Sequence, residues 1–143
     1  MNILSTILAK ALRAIYPQWR VMRRVSQHTL DPVLGRHGFQ KCGGFAAFYV
    51  TAIYYSDGKD TIEVCSEAEY SWALAASIFV GLHGHIDNKP IQREDARVRL
   101  GEVPLTSRPF DADVVLEGMT AIALKVNTYL NSTRHTRPPD LAV

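Results

Sequence analysis

Three side chains that bind metals occupy alternate positions in the run His83-Gly84-His85-Ile86-Asp87. In an extended segment alternate side chains project to the same side, so His83, His85 and Asp87 would converge. Two imidazoles and a carboxylate suit zinc or ferrous iron. The competing interpretation is a polar turn at the end of a strand, in which Gly84 relieves strain, and the sequence leaves both open.

Cys42 is the second residue that could do chemistry, because the backbone amides of the adjacent Gly43-Gly44 could form an anion-binding nest. A cysteine nucleophile also needs a base, and nothing in the sequence places one next to Cys42. Phosphate-binding loops, dinucleotide glycine fingerprints, serine-hydrolase elbows and Cys-x-x-Cys pairs are absent from the chain. We therefore expect a protein that is not an enzyme and that requires no cofactor.

Charge is distributed unevenly along the 143 residues, although Lys and Arg together number 16 and Asp and Glu 14. Residues 1–41 contain seven basic side chains and one acidic, residues 42–82 one basic and five acidic, and residues 83–143 eight of each. The basic N-terminal third and the acidic middle could each attract a charged partner, or they could attract each other in a homodimer.

The basic side chains of the N-terminal third could contact phosphate groups, and Trp19 could stack on a base. These basic residues are Lys10, Arg13, Arg20, Arg23, Arg24, Arg36 and Lys41. The alternative is a solvated helix face, since Arg20 and Arg24 are one helical turn apart and Pro17 interrupts the row. A nucleic-acid-binding module is therefore the second function that the sequence supports.

The acidic middle of the chain is interleaved with large aromatic side chains. The acidic residues are Asp57, Asp60, Glu63, Glu67 and Glu69, and the aromatic residues are Tyr54, Tyr55, Tyr70 and Trp72. Aromatic anchors within a region of one charge sign are typical of an interface that attracts a basic protein. The alternative is a sheet with an acidic solvent face and an aromatic core.

The periodicity of apolar residues predicts the elements that must position these side chains. In chain order they are a helix from Leu4 to Ile15, a helical stretch from Gln18 to His37, a strand from Phe45 to Tyr55, a strand from Thr61 to Ser66, a central strand within Trp72–Leu82, an edge strand from Ala96 to Leu100 and a helix after Pro109. Gly38 suits the left-handed position past the second helix, and Phe39 would fold back onto Leu34.

These elements predict an α+β domain: an antiparallel sheet of about four strands, with the N-terminal helices and the long C-terminal helix packed on one face. We expect a single domain over residues 1–143, with a loose tail at 131–143. Two cysteines are too few for a disulfide framework, which favours a reducing, cytoplasmic location. The longest uncharged run, Tyr70–Ile86, is too short and too polar for a membrane span.

The run from Leu30 to Lys41, the aromatic strand around Phe45–Tyr49 and the triplet Ile62-Glu63-Val64 resemble a group of small bacterial α+β domains. These domains open with a helix that ends in Gly-Phe and continue into an antiparallel sheet, and some are immunity proteins found beside polymorphic toxins. The resemblance implies a cytoplasmic protein that neutralises a toxin by binding it. A phage-encoded inhibitor of a host defence complex would have the same profile.

We therefore predict a non-enzymatic, protein-binding inhibitor of the immunity type, with the identity of its partner left open. The residues predicted to bind the partner are the acidic Asp60, Glu63, Glu67 and Glu69, which would attract it, and the aromatic Tyr54, Tyr55, Tyr70 and Trp72, which would anchor it.

Overall fold

The computed structural model describes residues 3–4, 7–8, 17–46, 50–68, 71–81, 85–86, 89–90, 97–109 and 111–134. Its elements are α1 (Pro17–Gly35), β1 (Gln40–Ala46), β2 (Val50–Ser56), β3 (Thr61–Ala68), β4 (Trp72–Phe79), β5 (His85–Ile86), β6 (Lys89–Pro90), β7 (Arg97–Pro104) and α2 (Ala112–Arg134). Residues 3–4 and 7–8 are helical. The rest of the helix predicted from Leu4 to Ile15 lies outside the described residues.

In the part of the chain that the structure describes, five strands form one antiparallel sheet in the order β1-β2-β3-β4-β7. The short strands β5 and β6 pair with each other, and β6 contacts β1. The connection from β4 to β7 therefore reaches the opposite edge of the sheet. The α+β class is confirmed, with five described strands in the sheet where about four were expected.

The single strand predicted from Phe45 to Tyr55 is wrong. β1 ends at Ala46, β2 begins at Val50, and the two strands pair with each other in the antiparallel direction. The residues between them are Ala-Phe-Tyr, without the Gly, Pro, Asn or Asp that usually marks a turn. Apolar alternation therefore continues through the reversal, and periodicity alone does not reveal it.

β1 also allows α1 to approach the sheet closely. A β-carbon on Gly44 would lie 2.0 Å from the ring of Trp19, and this ring packs against the core. Gly44, which the sequence offers as part of an anion nest, leaves room for Trp19 in the fold. Trp19, which the sequence offers as a base-stacking residue, is half-buried there.

The C-terminal end of α1 confirms the sequence prediction. Gly38 has a φ of 85°, and the backbone N–H of Phe39 donates a hydrogen bond of 3.0 Å to the carbonyl of Leu34. This is the Schellman ending, in which the chain folds back and Phe39 joins Leu34 in the core. Pro32 lies inside α1, so the helix continues through it.

α1 and α2 pack against each other and cover one face of the sheet, which we call the helix-covered face. Its core side chains are Ile53 and Tyr55 of β2, Ile62 and Val64 of β3, and Leu74, Ala76 and Ile78 of β4. The predicted central and edge strands are confirmed as β4 and β7. α2 extends to Arg134, so residues 131–134 of the predicted tail are helical.

Candidate functional site

The face of the sheet opposite to α1 and α2, which we call the second face, contains charged side chains from β3 and β7. Residues directly opposite each other in an antiparallel pair project to the same face. The register pairs Tyr54 with Glu63, Glu63 with Ser77, and Ser77 with Arg99. These four residues therefore form one row across β2, β3, β4 and β7.

Small residues on β4 allow long side chains from β3 and β7 to meet. Ala75 and Ser77 are buried on the second face. Across β4, Arg99 Nη1 lies 3.9 Å from Glu67 Oε1, and the two side chains are 37% and 42% exposed. We call this region the charged trough; its charged residues are Glu63 and Glu67 of β3 and Arg97, Arg99 and Glu102 of β7.

Burial and neighbouring charges act in opposite directions on Glu63. Burial raises the pKa of Glu63 above its usual value of 4.5 and outweighs the lowering of that pKa by the hydrogen bond with Tyr54 and by Arg97. The pKa of the Tyr54 hydroxyl is raised by burial and then by the charge of Glu63. Tyr54 therefore stays protonated and donates its hydrogen bond to Glu63. A buried carboxyl held in this way can exchange a proton nearer to neutral pH than an exposed one.

Cys42 and Cys65 do not have the environment of nucleophiles. Partial burial raises the pKa of the Cys42 thiol to about 11. Burial, reinforced by the charges of Glu63 and Glu67, raises the pKa of Cys65. The nucleophile is the thiolate, so at neutral pH both side chains remain unreactive thiols. Cys42 Sγ instead donates a weak hydrogen bond of 3.5 Å to the carbonyl of Tyr54.

Asp60 lies at the end of the hairpin that joins β2 and β3, and it is only 3% exposed. Its Oδ1 accepts a hydrogen bond of 2.8 Å from the backbone N–H of Gly81. The carboxylate of Asp57 accepts bonds from the backbone N–H groups of Lys59 and Asp60. The two aspartates hold the turns after β2 and β4, and the structure does not bring Asp60 to the charged trough.

Tyr55 and Trp72 belong to the helix-covered face. The Tyr55 hydroxyl donates a hydrogen bond of 2.6 Å to Asp31 Oδ1, which also lies 3.3 Å from Lys41 Nζ. Trp72 is half-buried and packs against the core. These two residues match the alternative interpretation, in which the aromatic side chains are the core of the sheet.

Lys41 and Ser26 have the spacing of a base and a nucleophile, with 2.7 Å between Lys41 Nζ and Ser26 Oγ. Burial lowers the pKa of Lys41, against the raising effect of Asp31. Ser26 is fully buried, however, and its hydroxyl donates to the carbonyl of Arg23 at 2.8 Å. A substrate cannot reach this serine, so the cluster fastens β1 to α1. Lys41, a candidate phosphate ligand in the sequence, is engaged in this contact.

Six of the candidate functional residues named from the sequence lie outside the described residues: Lys10, Arg13, Glu69, Tyr70, His83 and Asp87. Of the predicted metal-binding run, the structure describes the backbone of His85, in β5. Among the described residues there is no group of three or more His, Cys, Asp or Glu that could hold a metal ion. Metal binding at residues 83–87 therefore stays a hypothesis.

The sequence does not associate the three trough residues of β7, Arg97, Arg99 and Glu102, with the acidic cluster. The alternation of Arg97 and Arg99 with Val98 is a local signal and indicates an edge strand. The pairing that brings them to Glu63 and Glu67 is long-range, because it depends on β7 returning beside β4. No local pattern identifies this pairing.

Comparison of the chain with protein-family models, with curated proteins and with solved structures finds no match. Within the described ranges, no helix has the length and apolar character needed to cross a membrane.

Proposed function

We propose that this protein binds another protein through the charged trough and acts as an inhibitor of the immunity type. The main support is the position of Glu67 and Arg99, which are both more than one-third exposed on a face that α1 and α2 leave uncovered. A partly exposed ion pair of this kind contributes little to stability. Recognition of a partner is the better reason for these charges to line a sheet face.

The charged trough fits a partner that presents a lysine or an arginine. Its three carboxylates and two guanidinium groups, taken as ionised, leave one net negative charge. The separation of 3.9 Å between Arg99 and Glu67 is long for an ion pair, so a cation of the partner can replace Arg99 at small cost. Complementary charge of this kind speeds association and selects the partner. An inhibitor bound in this way blocks the active site or an essential surface of a toxin.

The first experiment identifies the partner and then measures its association with the trough. The purified protein serves as bait in native lysate, and the product of the neighbouring gene is tested directly. With the identified partner, Glu67→Lys should lower the association rate constant about tenfold at low salt, and by less at high salt. Inhibition is tested by adding the protein to the purified partner and measuring the partner's activity.

Glu117→Lys is the matched control, because it makes the same change in charge at an exposed position of α2, outside the trough. At nanomolar protein concentration it should leave the association rate within about twofold of the unaltered protein. Equal slowing by both variants, or no slowing by Glu67→Lys, would show that the trough is not the binding site. A partner that binds and keeps its activity would remove the inhibitor function alone.

Nucleic-acid binding is the second candidate, because α1 presents several arginines to solvent. Arg20, Arg23 and Arg24 are exposed, and Arg20 and Arg24 have no ion-pair partner among the described residues. If these arginines bind phosphates, affinity for a labelled duplex must fall steeply between low and moderate salt. Arg20→Gln combined with Arg24→Gln should then weaken binding and reduce that salt dependence, whereas Glu67→Lys should not.

A further inference from the structure

The side of α2 that faces away from the sheet has two exposed leucines. Leu116 is 46% exposed and Leu124 is 66% exposed, and Thr120 lies midway between them. The hydroxyl of Thr120 donates to the carbonyl of Leu116 at 2.7 Å, so its polar group is already satisfied by the helix. Leu116, Thr120 and Leu124 follow one another at intervals of four residues, so they are neighbours along one side of α2.

Leu124 forms a ridge between two grooves. On the α1 side a groove of about 270 Å³ is lined by side chains that include Val33, Arg36, Ala123 and Asn127. On the β7 side a groove of about 400 Å³ is lined by Leu100, Lys125, Thr128 and Tyr129. The stem of Lys125 runs over Gly101 of β7, where a β-carbon would lie 2.5 Å from Lys125 Cδ. Lys125 therefore stands on the β7 side of the ridge.

The two ends of this helix face have opposite charge. Asp113 and Glu117 are exposed near the N-terminal end of α2, and Arg36 is exposed beside its C-terminal end. The hydrogen bond between His37 and Asn127 shows that the C-terminal end of α1 lies beside the same part of α2, which brings Arg36 there. A surface that is acidic at one end, apolar in the middle and basic at the other is complementary to an inverted copy of itself.

We infer that this face binds a second copy of the chain, with the two α2 helices antiparallel and a two-fold axis passing next to Thr120. Leu116 and Leu124 are each four residues from Thr120, so Leu116 of one copy lies opposite Leu124 of the other. Leu116 enters the groove beside Val33 of the other copy, since both Leu116 and that groove lie on the α1 side of α2. Each leucine then buries apolar surface that is exposed in the single chain.

The same arrangement brings opposite charges together. Asp113 and Asn127 are each seven residues from Thr120, so Asp113 approaches Asn127 and the neighbouring Arg36. The symmetry makes each of these contacts twice. Charge complementarity at both ends selects the antiparallel arrangement, because parallel helices would place like charges together.

The exposed apolar side chains of residues 3–4 and 7–8 are a competing occupant of the groove. That end of the chain carries Lys10 and Arg13 and no acidic residue before Asp31. It would bring basic side chains to a groove already flanked by Arg36. A second copy satisfies this charge, and the N-terminal residues do not.

Sedimentation equilibrium of the full chain between about 10 µM and about 1 mM tests the inference. The contact is small for a specific interface, so we expect a dimer with a Kd on the order of 100 µM. Leu124→Gln and Asp113→Lys should each raise that Kd at least about tenfold. Asp113→Lys combined with Arg36→Glu restores opposite charges across the two-fold axis and should recover most of the dimer.

The matched control for the leucine is Val80→Gln, a polar substitution at a side chain that is 49% exposed in the turn after β4. It should leave the Kd unchanged. A monomer at about 1 mM, or a dimer insensitive to both Leu124→Gln and Asp113→Lys, overturns the inference. So does a dimer that Leu8→Gln abolishes and Leu124→Gln does not. The contact excludes the charged trough, so the partner-binding proposal can fail without affecting this result.

Discussion

Tyr54 and Tyr55 are consecutive residues of β2 and lie on opposite faces of the sheet. Their hydroxyl groups have different hydrogen-bond partners. On the helix-covered face, Tyr55 donates a 2.6 Å hydrogen bond to Asp31, whose charge is shared with Lys41. On the second face, Tyr54 is hydrogen-bonded to Glu63. The pKa of Glu63 is raised by burial and by Glu67 and is lowered by Arg97. Tyr55 therefore belongs to a contact that joins β2 to α1, whereas Tyr54 donates to a carboxyl whose pKa depends on neighbouring charges.

This difference shows which buried polar groups serve the fold and which are available for recognition. The cluster around Lys41 joins β1 to α1, and its serine is completely buried. The charged trough joins strands that backbone hydrogen bonds already hold together, and its charges reach solvent at Glu67 and Arg99. Charges that the fold does not need, at a surface, are the ones that a partner can use.

The largest difference between the faces should appear when core side chains are shortened. Ile62→Ala should lower the free energy of unfolding by about 3 kcal/mol, because Ile62 is fully buried between the sheet and the helices. Cys65→Ala should cost about 1 kcal/mol, because Cys65 lies in a small cluster with Ala52, Tyr54 and Ala75. Denaturant unfolding of the two variants measures both values. Equal costs would show that the second face is as much a core as the first.

A smaller difference in the free energy of unfolding is expected between variants of the two tyrosines. Tyr55→Phe removes the hydroxyl that donates a 2.6 Å hydrogen bond to the half-buried carboxylate of Asp31. The free energy of unfolding should fall by about 1.5 kcal/mol. Tyr54→Phe should cost about 0.5 kcal/mol, because Arg97 and Arg99 remain close to Glu63. The same denaturant titrations compare the variants. If Tyr54→Phe is the more costly, Tyr54 holds the fold together and is not primarily a support for the trough.

The smallest expected difference is a pH dependence of stability that arises from Glu63 on the second face. Because the folded protein raises the pKa of Glu63 above 4.5, the protonated carboxyl favours folding. This stability is complete below pH 4.5 and is lost as the pH rises through the folded pKa. A glutamine side chain cannot ionise, so Glu63→Gln does not lose this stability. The stability of the variant relative to the unaltered protein should therefore increase as the pH rises from 4.5 through the folded pKa of Glu63. Unfolding curves collected from pH 4 upwards measure it.

Tyr54→Phe is the internal control for this pH dependence. The hydrogen bond from Tyr54 lowers the pKa of Glu63, so its removal should extend the loss of stability to higher pH. A relative stability of Glu63→Gln that stays constant with pH would mean that the arginines and Tyr54 balance burial at Glu63, and one that decreases with pH would mean that they outweigh it. In either case the pKa of Glu63 would not lie above its usual value.

Much of the fold follows from local signals in the sequence. The Gly38-Phe39 ending of α1, the alternation within β3 and the apolar stripe of α2 each depend on residues within one element, and all three are confirmed. The reversal between Ala46 and Val50 lacks turn residues, so it is not predicted. The placement of Glu63 on the face of β3 opposite to Ile62 and Val64 follows from alternation alone. Glu67 lies past the predicted end of this strand at Ser66, and the structure extends β3 to Ala68.

The sequence by itself determined the class of the domain, the helix ending at Gly38 and the position of Glu63 on the face of β3 opposite to Ile62 and Val64, because each depends on neighbours within a few residues. Only the tertiary structure decided that Asp60 and Tyr55 are buried and that Arg97 and Arg99 stand beside the acidic residues. Those outcomes depend on which strands pair and which face the helices cover. Strand pairing is a long-range choice, made by the burial of the whole core, and no short stretch of sequence encodes it.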